Sequence, residues 1–497
     1  MGLFGCYNYP VSTFIRKVKT KSKATAVQIV RKEGGQIVDL KHIGSAHTPE
    51  RLILLLEIAQ KQLLGGQLPL FVRRKEKRPV LALGASSVLL FQSLQGVYES
   101  LGFDKLNDTV FEQLVLARLI EPASKFDTIR ILKELGLQSP SYTGIHRCLK
   151  RVITKSYRLK IAARCLKAAK SENLSLLLYD VTTLYFEIQK EDEFRKPGLS
   201  KERRLEPQIV VGLLVDRSGF PLQIHEFKGN MAETKTILPV LKTFCQEHHL
   251  PKVTVVADAA MMSLKNLKAI VSSGYTYVIA SRLNKIPYAV ADYQKTGELT
   301  DGQIVTEERQ DYRIIYQYRQ KRAVLDRQNI AKQIEKAQRV VEGIVPAHRT
   351  KFVTVKTKVK SLNLKLIAKA EALAGIKGYV TNLKDLPEVE IINHYHQLFQ
   401  VEKSFRMSKS DLKARPIFHH KLDSIKAHLT IVFAALAVSK HIEAKTKLSI
   451  KKFVQALRSI RTPTLLINGI KTQIDPFIPK EVQQIVDNLI KNQGRGH

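Results

Sequence analysis

Three acidic residues stand where an aliphatic core would exclude them. Asp180 interrupts the strand-like run Ser175-Leu-Leu-Leu-Tyr-Asp-Val-Thr-Thr-Leu-Tyr-Phe186, and Asp258 closes the run Val253-Thr-Val-Val-Ala-Asp258. Glu402 falls on the apolar stripe of a segment, Glu388–Lys409, that spaces as one helix. There Ile391, Ile392, Tyr395, Leu398, Phe399, Glu402, Phe405, Arg406 and Lys409 recur at steps of three and four and share one broad face. A carboxylate among packed aliphatic side chains costs on the order of several kcal/mol unless it is paired, hydrogen-bonded or bound to a metal. Three such residues predict a shared site for a divalent cation. Two Asp and a Glu supply hard oxygen ligands, suited to Mg²⁺ or Mn²⁺. Asp216, ahead of Arg-Ser-Gly219, reads as a turn residue, and Glu191-Asp-Glu193 as a solvated loop. Of the histidines, which lack zinc-finger spacing, His225 alone is placed near a strand end from which it can approach the site.

Charge names the class of substrate. Among 497 residues Lys and Arg number 81 and Asp and Glu 45, a net charge of +36. The excess runs along the whole chain, which points to a polyanion and places nucleic acid first. A hydrophobic content of 44% is ample for globular cores. The four cysteines, Cys6, Cys148, Cys165 and Cys245, have no metal-ligand spacing, which fits a reduced, cytoplasmic compartment and not a structural zinc site. The N-terminus Met1-Gly-Leu-Phe-Gly-Cys6 lacks the charged-then-apolar order of a secretory signal. The apolar stretch Ile431–Val438 is too short to cross a bilayer, so no membrane partner is expected.

The order of elements predicts an α/β chain. Thr13–Thr20, Ala24–Arg31 and Gln36–Ile43 alternate as a basic β meander, with a helix from Pro49 to Leu64, forming a small unit over 1–75. The run Arg73–Arg78 reads as a basic linker. Residues 76–170 have helical spacing and form a DNA-binding candidate; Ala117–Lys125 resembles a helix-turn-helix corner and equally an ordinary helix-packing corner. From 171 to 283 three strands are followed by helix, strand, helix, strand, the order of a ribonuclease-H-like core, although other mixed sheets share it. Residues 284–376 read as a β-rich insertion outside that sheet, 377–445 as the second part of the core, and 446–497 as a helical appendage with a polar tail.

The residues also carry a resemblance. Tyr395-x2-Leu398-x3-Glu402-x6-Lys409 is similar to the Tyr-x2-Arg-x3-Glu-x6-Lys signature of bacterial insertion-sequence DDE transposases. The flanking blocks Leu177-Leu-Tyr-Asp-Val-Thr-Thr183, Phe227-Lys-Gly-Asn230, Val255-Val-Ala-Asp258 and Val401-Glu-Lys-Ser-Phe-Arg-Met-Ser-Lys409 resemble that family too. So do Leu412-Lys-Ala-Arg-Pro-Ile-Phe-His-His420 and Ile425-Lys-Ala-His428. The resemblance implies a ribonuclease-H-like core whose metal ligands and catalytic residues are Asp180, Asp258 and Glu402. It implies a pair of Mg²⁺ (or Mn²⁺) ions that activate water or a 3′-hydroxyl for in-line displacement at phosphorus. Tyr395 and Lys409 are expected at the DNA backbone; the family's Arg is Leu398 here, and Arg406 is the neighbour able to replace it.

The function so implied is that of a mobile-element transposase. It binds terminal inverted repeats on double-stranded DNA, cleaves there as an endonuclease, and joins the ends to target DNA. A homodimer is expected because two ends must be paired, as is a nucleoid-associated location. The competing readings are a structure-specific nuclease of the same fold and a catalytically inactive DNA-binding derivative.

Overall fold

The computed structural model of the chain describes residues 11–20, 24–63, 80–170, 175–187, 191–198, 206–250, 253–259, 263–281, 283, 285–346, 350–356, 359–467 and 469–490. The basic run 73–78, the first ten residues and the C-terminal tail lie outside them. The chain divides into two compact units, 1–85 with 462–476, and 86–461 with 477–497.

The first unit begins with the meander β1 (Ser12–Lys19), β2 (Thr25–Glu33) and β3 (Gln36–Ala46), followed by helix α1 (Pro49–Leu63). Period-two alternation puts Val27 of β2 against Leu55 and Ala59 of α1 in a small core. The unit also contains strand β4 (Leu81–Ser86), which joins a hairpin from the C-terminal part of the chain.

The second unit opens with five helices, α2 (Val88–Ser100), α3 (Thr109–Ile120), α4 (Lys125–Glu134), α5 (Tyr142–Thr154) and α6 (Tyr157–Lys170). Their starts are readable in the sequence. Asp108, Ser124 and Ser141 each accept a hydrogen bond from the backbone amide three residues on, satisfying a donor left open at a helix N-terminus. The corner at Glu121–Ser124 turns α3 into α4, and α3 is buried on almost every side.

The sheet follows. β5 (Leu176–Tyr185), β6 (Gln208–Val215), β7 (Pro221–Lys228), helix α7 (Ile237–His248), β8 (Thr254–Ala257), helix α8 (Leu264–Ser272) and β9 (Thr276–Ser281) form its first part. They lie in the order β7-β6-β5-β8-β9, with β5, β6 and β7 antiparallel and β5, β8 and β9 parallel. This is the ribonuclease-H-like arrangement the sequence predicts. The strand faces alternate: Leu177, Tyr179, Val255 and Ala257 meet α7 and α8, whereas Leu176, Leu178 and Val256 turn to the opposite core.

Next come α9 (Tyr288–Thr296), β10 (Ile304–Glu308), β11 (Arg313–Tyr318), α10 (Gln320–Val341), the hairpin β12 (Val353–Lys356) and β13 (Val359–Leu362), α11 (Leu364–Ala372) and β14 (Ile376–Thr381). One expectation is corrected here. The insertion does not lie wholly outside the sheet: β14, where the core was expected to resume, pairs with β9, and the insertion's β11 and β10 extend the same sheet to eight strands. The backbone of β9 would otherwise present an open edge, and pairing satisfies it. Only α10, α11 and the β12–β13 hairpin stand apart, around Ile330, Ala337, Phe352 and Ile367.

The chain then forms α12 (Glu388–His396), α13 (Phe399–Arg406) and the 25-residue α14 (Leu422–Thr446). α14 is long and apolar enough to cross a membrane, but 78% of its apolar window is buried inside the protein. It is the central core helix, packed against α3, α5 and β7. α2–α6 share one continuous core with it and with one face of the sheet, so segment 76–170 is not a separate unit. Last are α15 (Ile450–Arg458), β15 (Thr462–Ile467), β16 (Ile470–Gln473) and α16 (Lys480–Ile490). The β15–β16 hairpin, paired with β4, replaces part of the expected helical appendage.

Candidate active site

Sheet register brings the two aspartates together. The parallel β5–β8 ladder pairs Leu176 with Thr254, Leu177 with Val255 and Leu178 with Val256, a constant offset of 256 − 178 = 78. The same offset carries Asp180 to position 258. Side-chain period two gives Asp180 the parity of Leu178, and Asp258 the parity of Val256. Both therefore belong to the face that meets α12–α14. Asp180 is half-buried in mid-strand, its Oδ1 accepting the Val181 amide at 2.8 Å; Asp258 is exposed just beyond the end of β8, its Oδ1 accepting the Ala259 amide at 2.6 Å.

Glu402 comes from α13, but not from a buried stripe. The single helix expected over Glu388–Lys409 is three pieces: α12, α13 after a tight step at Gln397–Leu398, and a π-helical turn Met407–Asp411. The step re-phases the helix, so its buried line is Val401, Ser404, Phe405 and Ser408, and Glu402 is exposed. The Ser404 hydroxyl fixes that rotation, donating to the Gly219 carbonyl at 2.7 Å. Tyr395, Glu402 and Lys409 thus do not lie on one line. Tyr395 is buried, Lys409 is half-buried in the π-helical turn and Arg406 is exposed.

The charges of all three carboxylates nonetheless act on one phenol. Burial pushes the Tyr395 hydroxyl above its ordinary pKa, and the charges of Asp258, Glu402 and Asp180 add to the shift. Facing the same ring is a residue that the sequence reading passed over. The Lys377 ammonium lies 4.3 Å from the Tyr395 centroid and 5.5 Å from that of Tyr379, and the two rings meet edge to face at 5.2 Å. Burial and Arg322 lower the Lys377 pKa, against the opposing pull of Asp258 and Glu402. Lys377 has the parity of Tyr379 on β14, which puts it on the triad's face of the sheet. The sequence signal was a Lys in the strand-like run Lys377-Gly-Tyr-Val-Thr-Asn382, beside a tyrosine.

The other acidic and basic positions sort cleanly. Asp216 is a turn residue: its Oδ1 accepts from the amides of Ser218 and Phe220 and from the Ser218 hydroxyl. Asp192 accepts from the amides of Phe194 and Arg195 and from the Arg195 guanidinium, so it shapes its own loop. His225 is on β7, separated from β5 by β6. It bonds Gln223 at 2.8 Å, and its charged neighbours are Arg158, Glu226 and Lys426, not the triad.

As a donor set, two aspartates and a glutamate fit hard divalent ions, and nothing among them competes for soft metals. Among the described residues, no three Asp, Glu, His or Cys side chains are close enough to hold one ion.

No curated protein matches the chain. Among solved structures it is similar to the piggyBac transposase synaptic complex with hairpin DNA, at 12% identity and TM-score 0.37 over 81% of this chain and 74% of that one. It is also similar to the Mos1 transposase paired-end complex with left transposon end, at 14% identity and TM-score 0.16, over 44% of this chain and 65% of that one. A third is Marinitoga piezophila Argonaute in complex with 5′ OH guide RNA, at 12% identity and TM-score 0.21, over 79% and 69%. The family description Transposase DDE domain matches residues 172–438, more than half of the chain and the whole stretch that carries Asp180, Asp258 and Glu402. The chain belongs to the family of transposases with a DDE domain.

Proposed function

We propose that the protein binds the terminal inverted repeats of its own element, cleaves them with two Mg²⁺ (or Mn²⁺) ions held by Asp180, Asp258 and Glu402, and transfers the ends to target DNA. The observation that supports this reading is the β5–β8 offset of the pairs Leu176–Thr254 to Leu178–Val256, which, continued past the ladder, matches Asp180 with Asp258 on adjacent strands packed near α13. Asp180, Asp258 and Glu402 would hold the divalent ions, offering only hard carboxylate oxygens. The chemistry such ions would supply there is charge stabilisation of an in-line displacement at phosphorus, which needs positioning and charge more than a covalent nucleophile. Arg406 is exposed beside Glu402 and free to meet a phosphate. Lys409 and Tyr395 contribute once the DNA end displaces part of their packing. The charge of +36 supports a polyanionic substrate, and two ends to be paired favour a homodimer on DNA.

Three variants test this: Asp180→Asn, Asp258→Asn and Glu402→Gln. Each is expected to lower Mg²⁺-dependent cleavage of a linear DNA bearing the terminal repeats by at least about a thousandfold while leaving DNA affinity within a few-fold. Full cleavage by any of them would reject the triad. Cleavage by the unaltered protein without joined target products would select a nuclease instead of a transposase.

A further inference from the structure

A second charged site lies away from the triad, in a cleft between the α3–α4 corner and residues 413–428. Its floor is built from Arg118, Lys125, His419 and His428. The Arg118 guanidinium donates to the carbonyls of Leu412 and Lys413, each at 3.2 Å, and faces His428 Nδ1 at 3.4 Å. His428 Nε2 lies 3.1 Å from the Ala414 carbonyl, so the imidazole donates there and accepts from Arg118 as a neutral ring. The Lys125 ammonium donates to His419, 2.6 Å from Nε2.

All the charges that shift these groups are of one sign. Burial first, then Arg118, pushes Lys125 down to about 8. Burial, Lys125, Arg118, His146 and His420 push His419 down to about 3. Burial, Arg118, His419 and Lys125 also lower His428, against only a backbone hydrogen bond. Among the described residues, no carboxylate lines the cleft. A cluster of cationic groups taken out of water without a counter-charge is costly, and an anion seated among them offsets that cost.

Shape and rim specify the anion. The cleft measures about 740 Å³, the scale of a small-ligand site. Three aromatic side chains stand at its mouth with most of their surface in water: Phe126 at 75% exposure, Phe418 at 66% and Tyr142 at 53%. Basic groups in a recess beneath exposed aromatic rings are the arrangement that holds a nucleotide by its phosphate and stacks its base. A recess does not suit the convex backbone of an intact duplex, whereas an unpaired nucleotide can enter it.

The cleft is also tied to the strand that carries Asp180. The Ile417 amide donates to the Tyr185 carbonyl at 3.2 Å, anchoring the Phe418–His420 segment at the end of β5. Five residues of strand separate Asp180 from Tyr185, roughly 16 Å at 3.3 Å each. That is a few nucleotides of single strand.

We propose that this cleft receives an unpaired nucleotide of the DNA substrate, its phosphate on Arg118, Lys125 and His419 and its base against Phe126 or Phe418. The proposal rests on the DNA reading above, and its test does not need catalysis. The full chain carrying Asp180→Asn is titrated without metal against a fluorescein-labelled single strand of about twelve nucleotides and against the matching duplex, read by anisotropy. Lys125→Ala combined with Phe418→Ala is expected to weaken single-strand binding by about tenfold or more and duplex binding by less than about threefold. Lys125→Arg restores single-strand binding, and Lys332→Ala, an exposed charge on α10, leaves it in place. Phe418→Ala alone, at an exposed position, gives the reading should the double variant fail to fold. In a parallel arm, a strand containing 5-iododeoxyuridine is expected to crosslink to Phe126 or Phe418. Unchanged single-strand binding, equal losses for strand and duplex, or crosslinks confined to other residues would overturn the proposal. So would competition by inorganic phosphate alone at equal strength, which would mark a simple anion site. A protein that binds the duplex but not the strand overturns only the cleft; one that binds neither overturns the DNA reading as well.

Discussion

The Lys377 ammonium lies 4.3 Å from the centre of the Tyr395 ring, on the phenol that Asp180, Asp258 and Glu402 all influence. A lysine so placed holds a positive charge where the charges of Asp258 and Glu402 both act on it. It lowers the local negative potential and competes with entering cations. Lys377→Met removes that competitor, and half-maximal activity is expected at a Mg²⁺ concentration lower by roughly two- to fivefold, the size of a partly screened charge interaction. A Mg²⁺ titration of cleavage measures it; an unchanged or raised requirement would show that Lys377 does not face the metal site.

Arg158 and Glu226 form a buried ion pair between α6 and β7, their side chains 17% and 7% exposed. Arg158 also donates to the Lys426 carbonyl and the Thr430 hydroxyl, tying both elements to α14. Glu226→Gln leaves the guanidinium buried without its counter-charge. A loss of about 3 kcal/mol is expected in urea unfolding, while Arg158→Met with Glu226→Gln loses less than either change alone would suggest. Strict additivity of the two substitutions would count against the pairing.

Gly229 sits in the Phe227-Lys-Gly-Asn230 block where two backbones close on it. A Cβ there would meet the carbonyl oxygens of Gln208 and Lys196, and backbone cannot swing aside as a side-chain end can. Gly229→Ala is expected to cost about 1–3 kcal/mol by overpacking, seen as a lower thermal midpoint. Gly229 is therefore a packing requirement where the backbones of Lys196 and Gln208 close on it. Loss of DNA affinity with undiminished stability would contradict this.

Acid is expected to destabilise the fold below about pH 6.5, before most carboxylates titrate. His419 and His441 are held down to about 3 and 4, chiefly by burial and then by Lys125, Arg118, His146 and His420 in the first case and by Lys445 in the second. His428 is lowered by burial and by Arg118, His419 and Lys125. Their unfolded pKa is near 6.5, so between that value and about 4 the unfolded chain binds protons that the folded chain refuses. Stability is full above about pH 6.5 and falls as pH drops toward the folded values. Melting curves from pH 7.5 to 4.5 should show this, and His441→Gln should flatten part of the slope. A melting temperature that rises on acidification would refute it.

Much of the fold follows from local pattern. The apolar, β-favouring runs Ser175–Phe186 and Val253–Ala257, the Ser and Asp caps of α3, α4 and α5, and the apolar run that became α14 all express preferences acting within a few residues. The β15–β16 hairpin carried a signal as well, since an Asn-Gly dipeptide between apolar runs favours a two-residue turn in a sequence, and Ile467 pairs with Ile470. The assignment of β10 and β11 to the main sheet carried none, whereas the run that became β14 already read as the return of the core. Which edge a strand pairs with depends on where β9 lies, and no periodicity encodes that.

The sequence by itself singled out Asp180 and Asp258 as candidate site residues, because a charge that interrupts or closes an apolar strand has no packing role there. It also determined the α/β order around them. Only the tertiary structure decided that the helix through Tyr395 and Lys409 breaks at Gln397–Leu398, which turns Glu402 out of the core. Only it placed Lys377 over Tyr395 and brought Arg118 to residues nearly 300 positions away. The reason is range: strand and helix periods are properties of adjacent residues, whereas a site is set by sheet register and by helices packed across it.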